Sequence, residues 1–144
     1  MAGPERTIRW SASNTSGVRF AFGSTTFFRG TTAYDAAEAV GSQAINLERL
    51  GARQAGKTLD FGEGLYFSRS RATANIFGGA QGAFGRQGGP AVLEVRISNF
   101  RWWQAQRSFG AVDNATISNL PGHTQSFVPT RGMEFFNKHT TFRF

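Results

Sequence analysis

The chain has 144 residues, 40% hydrophobic and 14% aromatic, which is enough apolar surface to bury the core of one domain. The absence of cysteine excludes disulfides and thiolate metal ligands, and two histidines alone do not predict a metal site. No apolar run approaches the roughly 20 residues of a membrane-spanning helix. The first ten residues, MAGPERTIRW, lack the apolar region of a signal peptide, so we expect none.

The formal net charge of +7 predicts a polyanionic partner, which would be nucleic acid, a dinucleotide or an acidic protein. Of the 16 basic residues only Lys57 and Lys138 are lysine, so arginine carries most of the positive charge. Arginine binds phosphate through a planar fork and stacks on bases. Alternatively, a GC-rich genome favours arginine and the charge serves solubility. Composition alone leaves both interpretations open.

The first third of the chain predicts strands followed by one long helix. Residues 6–28 are rich in Phe and Thr and alternate in part, which predicts strands with a hairpin turn at residues 23–24. Thr32, with Asp35 three residues later, is typical of a helix N-terminus. Apolar residues then recur every three or four positions, so we predict a helix over residues 33–50.

Shorter elements are predicted in the middle of the chain. Residues 65–68 predict a short strand and residues 70–77 a second helix. Residues 78–90 contain six glycines in 13 positions, a density that predicts a flexible loop inside the domain. Residues 91–98 alternate cleanly and predict a strand.

The last third of the chain is less regular. Asn, Gly and Pro recur from residue 110 to residue 122, which predicts that much of residues 99–124 is a long loop. Residues 125–129 and 140–144 predict closing strands, while residues 130–139 show no decisive pattern. These elements together predict a mixed α+β fold in which strands outnumber helices.

Three short segments stand out by their order and spacing. They are FFRGTT (residues 27–32), DFGEGLYFSRSRATANIF (residues 60–77) and TQSFVPTRG (residues 124–132). Together they resemble the ADP-ribosyltransferase superfamily, which includes bacterial mono-ADP-ribosylating toxins and poly(ADP-ribose) polymerases. The resemblance spans roughly residues 25–144. It implies a single catalytic domain over residues 1–144, folded as a split β-sandwich with a few flanking helices.

The resemblance also implies that the substrate is NAD and that no metal takes part. In this family nicotinamide leaves while positive charge develops on the ribose. Arg29 is expected to hold ribose or pyrophosphate, Tyr66 to stack on nicotinamide, and Ser68 to make a polar contact. The residues that the resemblance assigns to NAD are Arg29, Gly30, Thr31, Gly64, Tyr66, Phe67 and Ser68.

The third motif leaves two candidates for the remaining catalytic position. Gln125 occupies the place where the family usually carries a glutamate. A neutral amide makes a weaker hydrogen bond than a carboxylate, at a cost of roughly 1–3 kcal/mol or one to two decades in rate. Glu134 is the nearby carboxylate, and it is otherwise a solvated surface residue. We therefore consider Gln125 and Glu134, together with Arg29, Tyr66 and Ser68, as catalytic candidates.

For the aromatic and histidine residues, a role in the fold is an alternative to a role at a ligand. Tyr66 and Phe67 must point to opposite faces of a strand, so we expect Phe67 on the core side and Tyr66 on the ligand side. Trp102 and Trp103 fit a core or an interface better than a base-stacking platform. His123 is either a loop residue or a contact for the acceptor.

The resemblance to the ADP-ribosyltransferase superfamily implies transfer of ADP-ribose from NAD to a protein or nucleic-acid acceptor. A compact, basic, cysteine-free domain fits a bacterial toxin that is secreted or injected into the cytoplasm of a target cell, with an acidic immunity protein as partner. One alternative is an NAD glycohydrolase, which uses water as the acceptor. A second alternative is a non-catalytic, basic nucleic-acid-binding module.

Overall fold

A computed structural model describes residues 22–57, 59–80 and 88–144. The strands are β1 (Ser24–Thr32), β2 (Gly64–Phe67), β3 (Pro90–Ser98), β4 (Val112–Thr116), β5 (Thr124–Pro129) and β6 (Thr140–Arg143). The helices are α1 (Ala33–Ser42), α2 (Leu47–Gln54), α3 (Arg71–Ala80), α4 (Asn99–Phe109) and α5 (Met133–Lys138). The fold is therefore of the α+β class, as the sequence predicts. The strands predicted before residue 22 lie outside the described residues.

The strands form two three-stranded antiparallel sheets, ordered β1-β3-β6 and β2-β5-β4. Among the residues that the structure describes, one isolated backbone pair links the sheets, between β1 and the residue that follows β2. There the Phe28 N–H donates to the Ser68 carbonyl at 2.6 Å, and the Ser68 N–H donates to the Phe28 carbonyl at 2.8 Å. This junction brings the first two motifs of the sequence side by side.

One hydrophobic core joins both sheets to the helices. Phe27 is fully buried at its centre and packs edge-to-face against Phe67 at 4.6 Å and Trp102 at 4.9 Å between ring centroids. Such aromatic pairs add roughly 0.5–1.5 kcal/mol beyond the area they bury. The placement of Trp102 in the core is confirmed, whereas Trp103 is only half-buried.

The helix predicted over residues 33–50 is two helices in the structure, so the continuous helix is wrong. Its N-terminus is as predicted, because the Thr32 hydroxyl accepts a hydrogen bond from the first turn of α1. The chain leaves α1 at Gln43, which has a left-handed φ of 54°, and Asn46 then caps α2. The Gln43 side-chain amide makes two 2.9 Å hydrogen bonds with the backbone of Phe142 on β6. A contact 99 residues away thus stabilises the break.

The long loop predicted for much of residues 99–124 is wrong for the first part, where helix α4 and strand β4 form, whereas residues 117–123 do connect β4 to β5 outside any helix or strand. Ser98 caps α4 by accepting from the Arg101 N–H at 3.2 Å, and Gly110 ends it with a left-handed φ of 76°. Trp102 and Ala105 are its buried residues. The Arg and Gln residues of this helix outnumber its buried residues, so its narrow apolar face produces no clear helical periodicity in the sequence.

The remaining elements follow the predictions with shifted ends. The strands predicted at residues 91–98, 125–129 and 140–144 are confirmed as β3, β5 and β6. Helix α3 extends to Ala80, so the start of the predicted glycine-rich loop is helical, and residues 81–87 lie outside the described part of the chain. A 3-10 turn and α5 occupy residues 130–138, where the sequence shows no decisive pattern.

Candidate functional site

The candidate site is a cavity of about 510 Å³ at the junction between β1 and β2. Its volume falls in the roughly 300–1,000 Å³ range of small-molecule sites. Segments from both sheets and helix α3 line it, together with the chain between α2 and β2 and the turn after β4. The lining includes six of the predicted residues: Arg29, Gly30, Tyr66, Phe67, Ser68 and Gln125.

Three of the predicted site residues do not line this cavity. Thr31 borders a separate cavity of about 30 Å³, which has room for a water molecule or two and not for a dinucleotide. Gly64 is buried against β5, where an added Cβ would lie 2.2 Å from the Val128 carbonyl oxygen. Glu134 is exposed on the first turn of α5. Thr31 and Gly64 are buried outside the lining of this cavity, and the exposed Glu134 does not line it either.

Arg29 ties the two walls of the cavity together. Its guanidinium donates from one Nη to the Tyr66 carbonyl at 2.8 Å, across the outer edge of β2. The side chain is half-buried. A charge-assisted bond of this kind holds the fork at the cavity wall.

Tyr66 both builds and lines the site. Its hydroxyl donates to the Gly62 carbonyl at 2.7 Å and accepts from the Phe61 N–H at 2.8 Å, so it fixes the turn that precedes its own strand. Its ring packs 4.7 Å from the ring of Phe127. Burial is the main cause that raises the pKa of the Tyr66 phenol, and the nearby charge of Asp60 adds to it. The phenol therefore stays neutral around physiological pH.

Tyr66 and Phe67 differ in exposure as predicted for neighbours on a strand. Tyr66 is half-buried, whereas Phe67 is 4% exposed and belongs to the core cluster. A small part of Phe67 still reaches the cavity wall.

Ser68 is almost fully buried, and its hydroxyl already serves the fold. It donates to the Thr124 carbonyl at 3.0 Å and accepts from the Ser70 N–H at 3.0 Å. A hydroxyl has one proton and two lone pairs. Since its proton is used, Ser68 would meet a ligand as an acceptor.

Gln125 does not face the cavity alone, because it is paired with Asp60. Its side-chain Nε2 donates to the Asp60 Oδ2 at 2.8 Å, and the Ser118 N–H donates to the same oxygen at 3.2 Å. The hydrogen bond from the Ser118 backbone is the main cause that lowers the pKa of the Asp60 carboxyl, and the Gln125 bond lowers it further. Asp60 is therefore ionised at neutral pH. An ionised carboxylate only accepts, which fixes the orientation of the Gln125 amide.

Sequence reasoning missed Asp60 and Lys57, both of which line the cavity. Asp60 directly precedes the Phe-Gly-Glu-Gly turn, and that position is the only signal the sequence offered. Its pairing with Gln125 joins residues 65 positions apart. His123 is paired elsewhere, with its Nδ1 2.7 Å from the Thr73 hydroxyl on α3.

Within the described ranges, no group of three His, Cys, Asp or Glu side chains is arranged to hold a metal ion. None of the helices described above is long and apolar enough to cross a membrane. Comparison of the chain with protein-family models, curated proteins and solved structures finds no match.

Proposed function

We propose that this chain is an ADP-ribosyltransferase that cleaves the nicotinamide–ribose bond of NAD and transfers ADP-ribose to a macromolecule. One observation carries the proposal: three segments that resemble this superfamily, distant in sequence, contribute to one cavity through Arg29, Tyr66 and Gln125. We further propose that the two antiparallel sheets correspond to the split β-sandwich of that superfamily. Their connection through the Phe28–Ser68 pair supports this assignment.

The charges around the cavity suit a dinucleotide. Arg29 and Lys57 supply positive charge for the pyrophosphate, and the half-buried face of Tyr66 offers a surface for the nicotinamide ring. Gly30 follows Arg29 on β1 and is buried at the cavity wall, where, lacking a side chain, it would meet the carboxamide through its backbone.

The reaction needs orientation more than it needs acid or base chemistry. The bond between ribose C1′ and the nicotinamide nitrogen breaks, and both electrons stay on the nitrogen, so nicotinamide leaves neutral. The nucleophile of the acceptor then forms its bond at C1′ and loses a proton to solvent. Arg29 and Tyr66 would hold the two ends of the substrate while positive charge develops on the ribose.

The test uses NAD labelled in the adenosine half, incubated with cell extract, followed by mass spectrometry of all products. We expect free nicotinamide together with label on protein or nucleic acid. The variant Arg29→Ala should reduce release by about 10²-fold or more, because the substrate loses an oriented contact. Arg96→Ala is the matched control, since Arg96 is exposed on β3 and does not line the cavity. Release of no nicotinamide by the wild-type protein would refute the proposal.

The same experiment separates transfer from hydrolysis. Stoichiometric release of nicotinamide and free ADP-ribose without a macromolecule would indicate an NAD glycohydrolase. Strict dependence on added extract would exclude that alternative.

A second candidate function, binding of a polyanion without catalysis, is favoured by the outer surface of α4. Phe100 is 41% exposed and stacks on Trp103 at 5.9 Å. The guanidinium of Arg101 lies 5.6 Å from the Phe100 ring, and that of Arg107 lies 5.3 Å from the Trp103 ring. Alternating cations and aromatic faces suit single-stranded nucleic acid. A salt-dependent affinity that Arg107→Ala weakens and Arg29→Ala leaves intact would support this function.

The toxin assignment is part of the proposal, and the basic composition supports it. We propose that the protein acts in the cytoplasm of a target cell, and that an acidic immunity protein neutralises it. Induced expression should arrest growth, and Arg29→Ala should relieve the arrest. Failure of the product of the adjacent reading frame to restore growth would argue against the immunity partner.

A further inference from the structure

The charge distribution of the cavity singles out Asp60. Among the described residues that line it, Asp60 is the only carboxylate, while Arg29 and Lys57 are the cations. Two cations suit a pyrophosphate, but they oppose any positive charge that appears elsewhere in the substrate. A cavity that stabilises a developing cation therefore needs the negative charge that only Asp60 supplies.

Asp60 is exposed, and its carboxylate is held in place by groups from two other parts of the chain. Gln125 on β5 and the Ser118 N–H in the turn after β4 both donate to its Oδ2. Asp60 itself precedes Phe61, whose N–H is bonded to the Tyr66 hydroxyl. The carboxylate and the ring of Tyr66 are thus positioned by one small network. Such preorganisation is what makes an electrostatic group effective in catalysis.

We propose that Asp60 is a catalytic residue of this site: its carboxylate stabilises the positive charge that develops on the ribose, and Gln125 positions it. The inference rests on the proposed cleavage of NAD. Asp60 would then supply the negative charge that the neutral amide of Gln125 cannot provide, and the exposed Glu134 would have no part in the reaction. Asp60 forms no covalent bond in this step and exchanges no proton, because the electrons of the broken bond leave with nicotinamide.

The principal test compares kcat and KM for nicotinamide release by wild type and Asp60→Asn. The amide keeps the size of the side chain and removes its charge. We expect kcat to fall about 10- to 10²-fold, the loss expected when an amide replaces a carboxylate, with KM changed by less than about fivefold. Glu63→Gln is the matched control, because Glu63 is an exposed carboxylate three residues away that does not line the cavity. It should leave both constants unchanged.

Gln125→Glu provides a second, independent test. It would place a second carboxylate beside Asp60, where the amide nitrogen now lies 2.8 Å from Oδ2. Two carboxylates at that distance cannot both ionise readily, so kcat should fall. If position 125 were itself the site of the catalytic charge, the substitution would raise kcat by about one to two decades. This variant also decides the question should Asp60→Asn fail to fold.

The outcomes separate the two proposals. Wild-type protein that neither binds NAD nor releases nicotinamide would overturn the proposed function. Active wild type with an unchanged kcat in Asp60→Asn, or a faster Gln125→Glu, would overturn only the role of Asp60. A larger KM with unchanged kcat in Asp60→Asn would make it a binding residue and would likewise overturn the catalytic role.

Discussion

Replacing Gly64 with alanine should destabilise the protein strongly, although the substitution adds only one methyl group. Gly64 begins β2 with a φ of 156°, and an added Cβ would lie 2.2 Å from the Val128 carbonyl oxygen and 2.6 Å from the Phe127 ring. Backbone atoms of β5 cannot turn aside as a side chain would. The strand pair must therefore separate to accept the methyl group.

The magnitude follows from the contacts that this separation breaks. Overpacking of a buried site costs roughly 1–3 kcal/mol. Both backbone groups of Gly64 are also hydrogen-bonded to the Gln54 side chain, at 2.6 Å and 3.2 Å. Losing these two bonds adds roughly 1 kcal/mol each. We expect the free energy of unfolding to fall by about 3–5 kcal/mol, a large share of the usual 5–15 kcal/mol.

The assay is urea unfolding followed by tryptophan fluorescence, with Gly62→Ala as the matched control. Gly62 lies in the same motif with a left-handed φ of 86°, but nothing lies within 4 Å of a Cβ added there. Alanine at this position pays only the backbone cost, about 1–2 kcal/mol. With a typical slope near 2 kcal/mol per molar, the urea midpoint should fall by about 2 M for Gly64→Ala and under 1 M for Gly62→Ala. Equal losses in the two variants would refute the steric argument.

Three further predictions concern the network around the site and the core. Tyr66→Phe removes the hydroxyl that fixes the turn at Gly62 while keeping the ring. We expect the free energy of unfolding in urea to fall by about 1–2 kcal/mol and the KM for NAD to rise. An unchanged KM would show that the turn does not shape the cavity. Burial of Asp113 opposes its ionisation, but the hydrogen bonds and the charge of Arg69 outweigh burial and lower the pKa of the carboxyl. The carboxylate therefore stabilises the fold above its ordinary pKa of 3.8, and this stabilisation is lost as pH falls through the lowered pKa. Urea unfolding should therefore show Asp113→Asn less stable than wild type near neutral pH, with the difference vanishing at strongly acidic pH; a constant difference would contradict the linkage. Trp102→Ala should lower the free energy of unfolding by about 3–5 kcal/mol, because Trp102 is 2% exposed in the core. Alanine at the half-buried Trp103 should lower it by about 1 kcal/mol. Comparable losses of the two variants on thermal unfolding would contradict this difference in burial.

Much of the secondary structure could be predicted from local pattern. The strand over residues 91–98 alternates, and Thr32 caps the following helix, because these signals act within a few residues. The break at Gln43 could not be predicted, since the backbone of Phe142 stabilises it from the far end of the chain. Helix α4 was hidden because only Trp102 and Ala105 are its buried residues. A face that narrow gives no clear periodicity.

The candidate site, too, could be predicted from the sequence only in part. The sequence by itself determined which residue types are present in the three segments, and it placed Tyr66 on a predicted strand and Arg29 directly after one. Only the tertiary structure decided that Thr31 and Gly64 lie outside the lining of the cavity, and that Gln125 meets Asp60. The physical reason is distance along the chain. A pattern reports on neighbours within a turn or a strand, whereas the position of a charge in a cavity depends on how two sheets are joined, here by the pair between Phe28 and Ser68.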